Sequence, residues 1–590
     1  MFRSVSSRAA TLPPRKRLRV CRQPSSPPLL EAAGAAYSKM NDRSYRIFSL
    51  IFGLLVASGL LVWILWTGRK AADRAAPVRS PVPEERARVD PAGPAIDGVT
   101  QARAMAVAKL KESLARRLRQ KDARTDEAVL TFKDEEAYRK FLARAARAGL
   151  KVRGQIDGLR TVRVGYETLD PLIDDMVANP ADYSDTGANF LVHLPQTPAA
   201  EDRPKVSQVP IGNNSLAFLG ATGDRSQWGR GVTIAVLDTG VAPDLTLSGG
   251  RVHALDIGLG LAPGSGPEDG HGTAVAGLVA GAASDAPGVA AAATILSIRV
   301  TDQDGLSDSF TVAQAILAAV DAGARIVNLS LGTYSDSTVL TNAITYAIAS
   351  GAVIVASAGN DGAAQLTWPA ADPRVISVGA VDALEQQVYF SNAGPQLKIT
   401  APGYGVDAAW LNGQRVSFDG TSASAPLVAG AIAAIMTTSP GLDASQAWAV
   451  LQQYTSDGGV PGPDAEYGAG ILNVGWAMAR LDPARVDPAL AGEYFDVATN
   501  TMNVVVQNRG GRSVSGLSLM VSVGGVATTV AVPTLSPGAT QLVAVPVGAD
   551  QLAADGGIIF RTTLETPAGM VDQVPANNRK SGVVVPTGKQ

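Results

Sequence analysis

Between residues 207 and 482 the chain alternates short β-branched runs with alanine-rich runs of helical length. The strand-like runs are GVTIAVLD (231–238), ATILSIRV (293–300), ARIVNLSL (324–331), AVIVASAG (352–359) and VISVGAV (375–381). They are apolar almost throughout, so each must be covered on both faces. Strands buried on two faces and separated by helices belong to an α/β layer, a doubly wound parallel sheet with helices on either side. In such a sheet, chemistry is expected at the carboxyl ends of the strands.

Four residues meet that expectation. Asp238 closes the first run and is followed by Thr239 and Gly240, and Asn360 follows AVIVASAG. His271, one of three histidines in the chain, opens a helix in EDGHGTAVAGLVAG, where Gly270 and Gly272 let backbone pass closely. Ser422 begins the long apolar helix of DGTSASAPLVAGAIAAIM, where free N–H groups and the helix dipole favour developing negative charge. A serine hydroxyl is a poor nucleophile until a base takes its proton, and histidine is the base suited to neutral pH. A buried carboxylate fixes the imidazole tautomer and stabilises its protonated form, the place for Asp238. The Asn360 amide and the Ser422 N–H are suited to hold a tetrahedral oxyanion.

In order and spacing, IAVLDTGV, DGHGTAVAG, NLSLG, ASAGND and GTSASAPLVAG resemble the subtilisin-like serine proteases, the subtilases of peptidase family S8. The separations are 33 residues from 238 to 271, 89 from 271 to 360 and 62 from 360 to 422. One such motif would be modest evidence, whereas five in sequence are strong. The resemblance implies a subtilisin-like fold, a catalytic triad of Asp238, His271 and Ser422, and Asn360 in the oxyanion hole. It also implies that Ser330, Leu331 and Gly332 pair with substrate backbone beside the S1 pocket. Where the family usually has a second histidine, three positions after the first, this chain has Ala274. Many subtilases bind calcium in a loop after this helix. Here GAASDAPG is short and offers only Asp285, while Asp244 in APDL reads as a turn aspartate. Calcium wants about six to eight oxygen ligands, so no metal site and no required cofactor are expected.

Upstream, AVLTFK (128–133), a helix opening at Asp134, strands LKVRGQI and LRTVRVGY, a helix near ETLDPLIDDMVAN and a last strand ANFLVHLP follow a helical Ala102–Lys121. That β-α-β-β-α-β order, placed at 96–195, is the split arrangement of a ferredoxin-like α+β domain, and it resembles the subtilase propeptide. The resemblance implies an intramolecular inhibitor cut within TPAAEDRPKVSQ, about 197–208. His193, near its end, reads as an ordinary strand residue. Downstream, 484–590 has no helical period, many Val and Thr, and turns at QNRGGRS, VGG and LSPGA. It reads as an all-β sandwich, resembling a CARDB-like or generic immunoglobulin-like module.

A chain of 590 residues is too long for one core. Its formal charge of −2 conceals an asymmetry, because residues 1–46 carry ten Lys/Arg against two acids. The boundary is IFSLIFGLLVASGLLVWILW, 47–66, uncharged for twenty residues and ending in Trp63 and Trp66. That is long enough for one transmembrane helix across about 30 Å of hydrocarbon. More basic residues precede it than follow it, so 1–46 is expected in the cytoplasm and the remainder outside. The run exceeds the usual signal-peptide length and no small-x-small site follows directly, which favours an uncleaved anchor. Residues 1–39 resemble no folded element, and a translation start at Met40 is an alternative reading of the amino terminus. Residues 67–95, rich in Pro and Ala with alternating charges, read as a linker. The sole cysteine, Cys21, precedes the span, so the exported part forms no intramolecular disulfide. The only basic cluster lies before the span, which argues against nucleic-acid binding.

The function expected is therefore a membrane-anchored serine endopeptidase, made as a zymogen and acting outside the cytoplasm on protein or peptide substrates. Two alternatives are a catalytically inactive subtilase-like binding or adhesion protein, and a Ser-Glu-Asp carboxyl peptidase. The first is disfavoured because all four catalytic positions are filled. The second is disfavoured because its site lacks histidine and has aspartate where Asn360 stands.

Overall fold

The computed structural model describes residues 98–198, 208–258 and 267–584, apart from 461, 497, 549–550 and 552–557. The apolar run at 47–66, its basic lead, the linker to 95 and most of the 197–208 stretch lie outside the described residues.

The first module opens with α1 (Gly98–Leu118) and continues as β1 (Glu127–Phe132), α2 (Glu135–Arg144), β2 (Lys151–Ile156), β3 (Thr161–Gly165), α3 (Asp170–Ala178) and β4 (Tyr183–Gly187). Its four strands are ordered β2-β3-β1-β4 with every neighbouring pair antiparallel. Asp134 starts α2 by accepting the Ala137 N–H at 2.8 Å, an N-cap that satisfies one otherwise orphan donor. Leu130, Phe132, Phe141 and Leu172 pack in the space between sheet and helices.

The last strand departs from the sequence expectation of ANFLVHLP. The edge of the sheet is YSDTG, a polar segment without apolar alternation, which pairs with β1. Leu191–His193 instead forms β5, leaving that sheet to pair antiparallel with β9 (Leu306–Asp308). The buried apolar residues of ANFLVHLP divide between two cores: Ala188 and Phe190 pack with the first module, and Val192 and Leu194 pack into the next domain.

That domain is built on a seven-stranded sheet ordered β13-β12-β11-β10-β6-β8-β7, parallel at each interface. The five runs read from sequence become β6 (Thr233–Asp238), β8 (Thr294–Arg299), β10 (Ile326–Leu329), β11 (Val353–Ser357) and β12 (Ile376–Val381). Two edge strands have no counterpart in the sequence reading: β7 (Val252–Ala254) and β13 (Ile399–Pro402) are too short to carry a pattern. On one face lie α4 (His271–Ala280) and α7 (Thr421–Thr438); on the other lie α5 (Ser309–Asp321) and α6 (Thr338–Ala349).

The period-2 geometry of a strand divides β6 between two cores. Ile234 and Val236 join the α4 and α7 side, and Ala235 and Leu237 join the α5 and α6 side. Each large side chain so buried contributes about 1.5–3 kcal/mol. The hairpin β14 (Val406–Ala409) and β15 (Arg415–Phe418) precedes α7. Among the described residues α7 alone is long and apolar enough to cross a membrane, but it is the central helix of this core, 83% buried.

The tail contributes β16 (Pro488–Asp496), β17 (Thr501–Asn508), β18 (Ser518–Val523), β19 (Val526–Ala531), β20 (Thr540–Pro546), β21 (Ile558–Glu565) and β22 (Arg579–Val584). They form two antiparallel sheets, β16-β17-β20 and β19-β18-β21-β22. Val504 and Val506 of the first share one apolar cluster with Leu519, Val521 and Leu564 of the second.

Candidate active site

The carboxyl end of β6 delivers Asp238, fully buried, whose Oδ1 lies 2.8 Å from His271 Nδ1 and also accepts the Thr239 N–H at 2.8 Å. His271 is the first residue of α4 and 5% exposed. Its neighbours are glycines for steric reasons. A Cβ on Gly272 would stand 2.2 Å from the Gly240 carbonyl oxygen, and one on Gly270 would stand 2.2 Å from the Trp410 ring. The imidazole meets Phe418 edge-on, with ring centroids 5.1 Å apart.

Two residues that sequence reasoning missed hold these loops together. Thr239 Oγ1 accepts the Gly272 N–H at 3.0 Å and donates to the Asp269 carbonyl at 3.2 Å. Arg299, ending β8, donates to the Thr239 carbonyl and to Asp269 Oδ1, both at 2.9 Å. Arg299 stands at a strand's carboxyl end, and that position was the available signal.

Ser422 is the second residue of α7 and 1% exposed. The helix is entered through Gly420 at φ +127°, where a Cβ would also lie 2.9 Å from Asn360 Nδ2. Asn360 is fixed by its oxygen, which accepts from the Thr421 N–H at 3.0 Å and from Thr421 Oγ1 at 2.9 Å. The amide N–H is thereby aimed outward, and it donates to the Pro195 carbonyl at 2.9 Å. Ser422 Oγ donates to the Ser330 carbonyl at 3.5 Å, while Ser330 Oγ, itself held by Asn328, donates to the Ser422 carbonyl.

The segment at Asn360 comes from the end of the first module. His193 N–H donates to the Gly332 carbonyl at 2.9 Å, Gly332 N–H returns a bond to the His193 carbonyl at 2.8 Å, and Leu194 N–H donates to the Gly305 carbonyl at 3.2 Å. An extended strand thus runs between β9 and Gly332. Val192 and Leu194 are buried with Leu331, and His193 is exposed. His193 is therefore a strand residue, but one in the cleft. Of the expected trio, Gly332 and Ser330 present backbone to the site, and Leu331 lies in the core. The same junction is fastened at α5. Asn189 Oδ1 accepts from Phe310 N–H and Ser309 Oγ at 3.1 Å, and Asp308 pairs with Arg163 at 3.0 Å and Arg124 at 3.2 Å.

Asp244 and Asp285 do not combine into a cation site. Arg415 reaches both carboxylates at 3.0 Å, and Asp244 also caps a short turn through the Thr246 N–H. A guanidinium occupies the place between them, so the residues do not fit calcium. Among the described residues no group of three or more His, Cys, Asp or Glu could hold a metal.

Comparison with known proteins matches the sequence of this domain to a family. The subtilase (peptidase S8) model matches residues 229–470. A thermostable alkaline protease of Halalkalibacterium halodurans is 34% identical over 258 residues, covering 43% of this chain and 69% of that protein. Subtilisin BL of Lederbergia lenta is 34% identical over 257 residues, covering 43% of this chain and 93% of it. A solved structure of the protease domain of PatA, in a serine-to-alanine mutant form, is 28% identical with a TM-score of 0.40, covering 43% of this chain and 96% of it. With more than two thirds of each of the two proteases matched through the domain that carries Asp238, His271 and Ser422, the chain belongs to the subtilase family of serine-type endopeptidases.

Proposed function

We propose that the chain hydrolyses peptide bonds through an acyl-enzyme on Ser422, with His271 as base and Asp238 as its anchor. The observation that carries this reading is the 2.8 Å bond between His271 Nδ1 and buried Asp238 Oδ1. It commits Nδ1 as a donor and leaves Nε2 as the nitrogen that takes a proton. In the first step the Ser422 Oγ–H proton passes to His271 while Oγ bonds to the substrate carbonyl carbon. The oxyanion that forms is met by Asn360 Nδ2, already directed by Thr421. Such a preoriented donor is worth roughly 10²–10³ in rate. Collapse breaks the C–N bond, and the proton on His271 goes to the leaving amine. Water, deprotonated by His271, then attacks the acyl carbon and frees Ser422.

The module at 98–195 is proposed as an intramolecular inhibitor, which makes the chain a zymogen. Support comes from the extended segment 191–195, which follows the path a peptide substrate would take past Gly332 to Asn360. A membrane anchor at 47–66, with the protease outside the cytoplasm, rests on the apolar run and the basic residues before it.

A fluorophosphonate probe tests the catalytic reading. The processed enzyme should gain one probe mass on Ser422, and Ser422→Ala should gain none. Absence of label on the processed wild type would overturn the assignment.

A further inference from the structure

We propose that Pro195 makes the strand it ends a slow occupant of the cleft, by withholding the one backbone N–H that would seat a cleavable residue there. This rests on the serine peptidase reading of the site. His193 and Gly332 exchange both of their backbone bonds, which makes them a hydrogen-bonded pair of an antiparallel ladder. The next such pair falls two residues further along each strand, at Pro195 and Ser330. A residue at 195 with an amide proton would donate it to the Ser330 carbonyl. Proline has none.

The Ser330 carbonyl is instead approached by Ser422 Oγ at 3.5 Å. A hydroxyl that donates to a backbone carbonyl is not donating to an imidazole, and attack on the carbonyl needs that proton on the base. The missing N–H therefore acts twice: it loosens the seat of the residue at the oxyanion donor, and it leaves an acceptor that draws the nucleophile aside. Proline also restricts Leu194 to extended backbone, so the strand is pre-ordered for binding, which lowers the cost of staying bound.

The register fixes the bond at risk. Asn360 donates to the Pro195 carbonyl, so the acyl carbon is that of Pro195 and the leaving amine is that of Gln196. Cleavage forms the Ser422 Oγ–C bond, breaks the Pro195–Gln196 bond, and moves the serine proton through His271 to the Gln196 nitrogen. This cut falls just before the 197–208 stretch that the sequence suggested.

Two measurements test the proposal. The full chain and its Pro195→Ala variant are followed by intact mass, with the new amino terminus sequenced. The processed enzyme is then given synthetic peptides spanning 189–198 with proline, alanine or N-methylalanine at 195. Expected are cleavage at 195–196 on the order of tenfold faster in the variant and a similarly higher kcat/KM for the alanine peptide, the effect of one backbone hydrogen bond plus a released nucleophile. N-methylalanine, which also lacks the N–H, should behave as proline. Equal rates for proline and alanine, a cut elsewhere, or an N-methylalanine peptide cleaved as fast as alanine would each overturn it. Fluorophosphonate labelling of the same samples separates the two claims. Labelled enzyme with no alanine effect removes the role of Pro195 alone, and unlabelled enzyme removes the peptidase reading beneath it.

Discussion

In the proposed mechanism Asn360 acts through its orientation. Its oxygen is held by the Thr421 N–H and Oγ1, so the N–H can only point at the carbonyl in the cleft. Asn360→Ala is expected to lower kcat by about 10²–10³ with KM little changed, measured on a chromogenic peptide. A loss shared equally with KM would place the amide in ground-state binding. Arg415 presents the opposite case, a charge whose role is structural. It compensates Asp244, which has no exposed side-chain surface. Because the guanidinium is itself a quarter exposed, Arg415→Ala should cost between about 1 and 3 kcal/mol, read by thermal unfolding. Asp238, His271, Asn360 and Ser422 were legible because their side chains carry chemistry and stand at element ends. Thr239, Thr421, Arg299 and Trp410 were not, because they orient other groups through contacts between residues distant in sequence.

The amino end of α4 works only while backbone and ring can approach it on both sides. Gly272→Ala would drive a methyl group against the Gly240 carbonyl. A loss of about 1–3 kcal/mol in stability is expected, together with a fall in kcat as Asp238 and His271 separate. Unchanged activity would show that the loop yields freely. In the tail, burial raises the Glu493 carboxyl above its ordinary range, with Lys580 and a 2.8 Å bond from Thr562 pulling the other way. A carboxyl raised in the folded state binds its proton more tightly there than in the unfolded chain. Stability therefore falls as pH rises from the unfolded value through the folded one. Glu493→Gln should raise the Tm above wild type at pH 8 and show no advantage at pH 4.

Across the whole described chain, the first module, proposed above as an inhibitor, and the protease domain share a charged and capped seam. Asp308 serves both sides: its Oδ1 caps α5 through the Thr311 N–H at 2.8 Å, and its Oδ2 pairs with Arg163 and Arg124. Asp308→Asn keeps an oxygen for the cap and removes the charge. The released first module should then inhibit the processed enzyme at least tenfold less well, measured as an inhibition constant. An unchanged constant would assign the hold to Asn189 and the Val192–Leu194 packing. The tail meets the protease domain where Lys580, which also donates to the Ala491 carbonyl within the tail, contacts Glu385.

The parallel sheet was readable from the chain alone, because five doubly buried strands must be apolar throughout, and so were the four candidate side chains, because a scarce histidine and its proposed partners stand at strand and helix ends. Gly270 and Gly272 could be read as places of close approach, but their neighbours, Trp410 and the Gly240 carbonyl, could not. The destination of the strand after β4 is set by the folded chain. LVHLP has the same apolar letters whether it closes its own sheet or lies in a neighbour's cleft. The choice is made by backbone partners at Gly305, Gly332 and Asn360, more than a hundred residues away, and hydrogen bonds of that range leave no period in the chain that makes them.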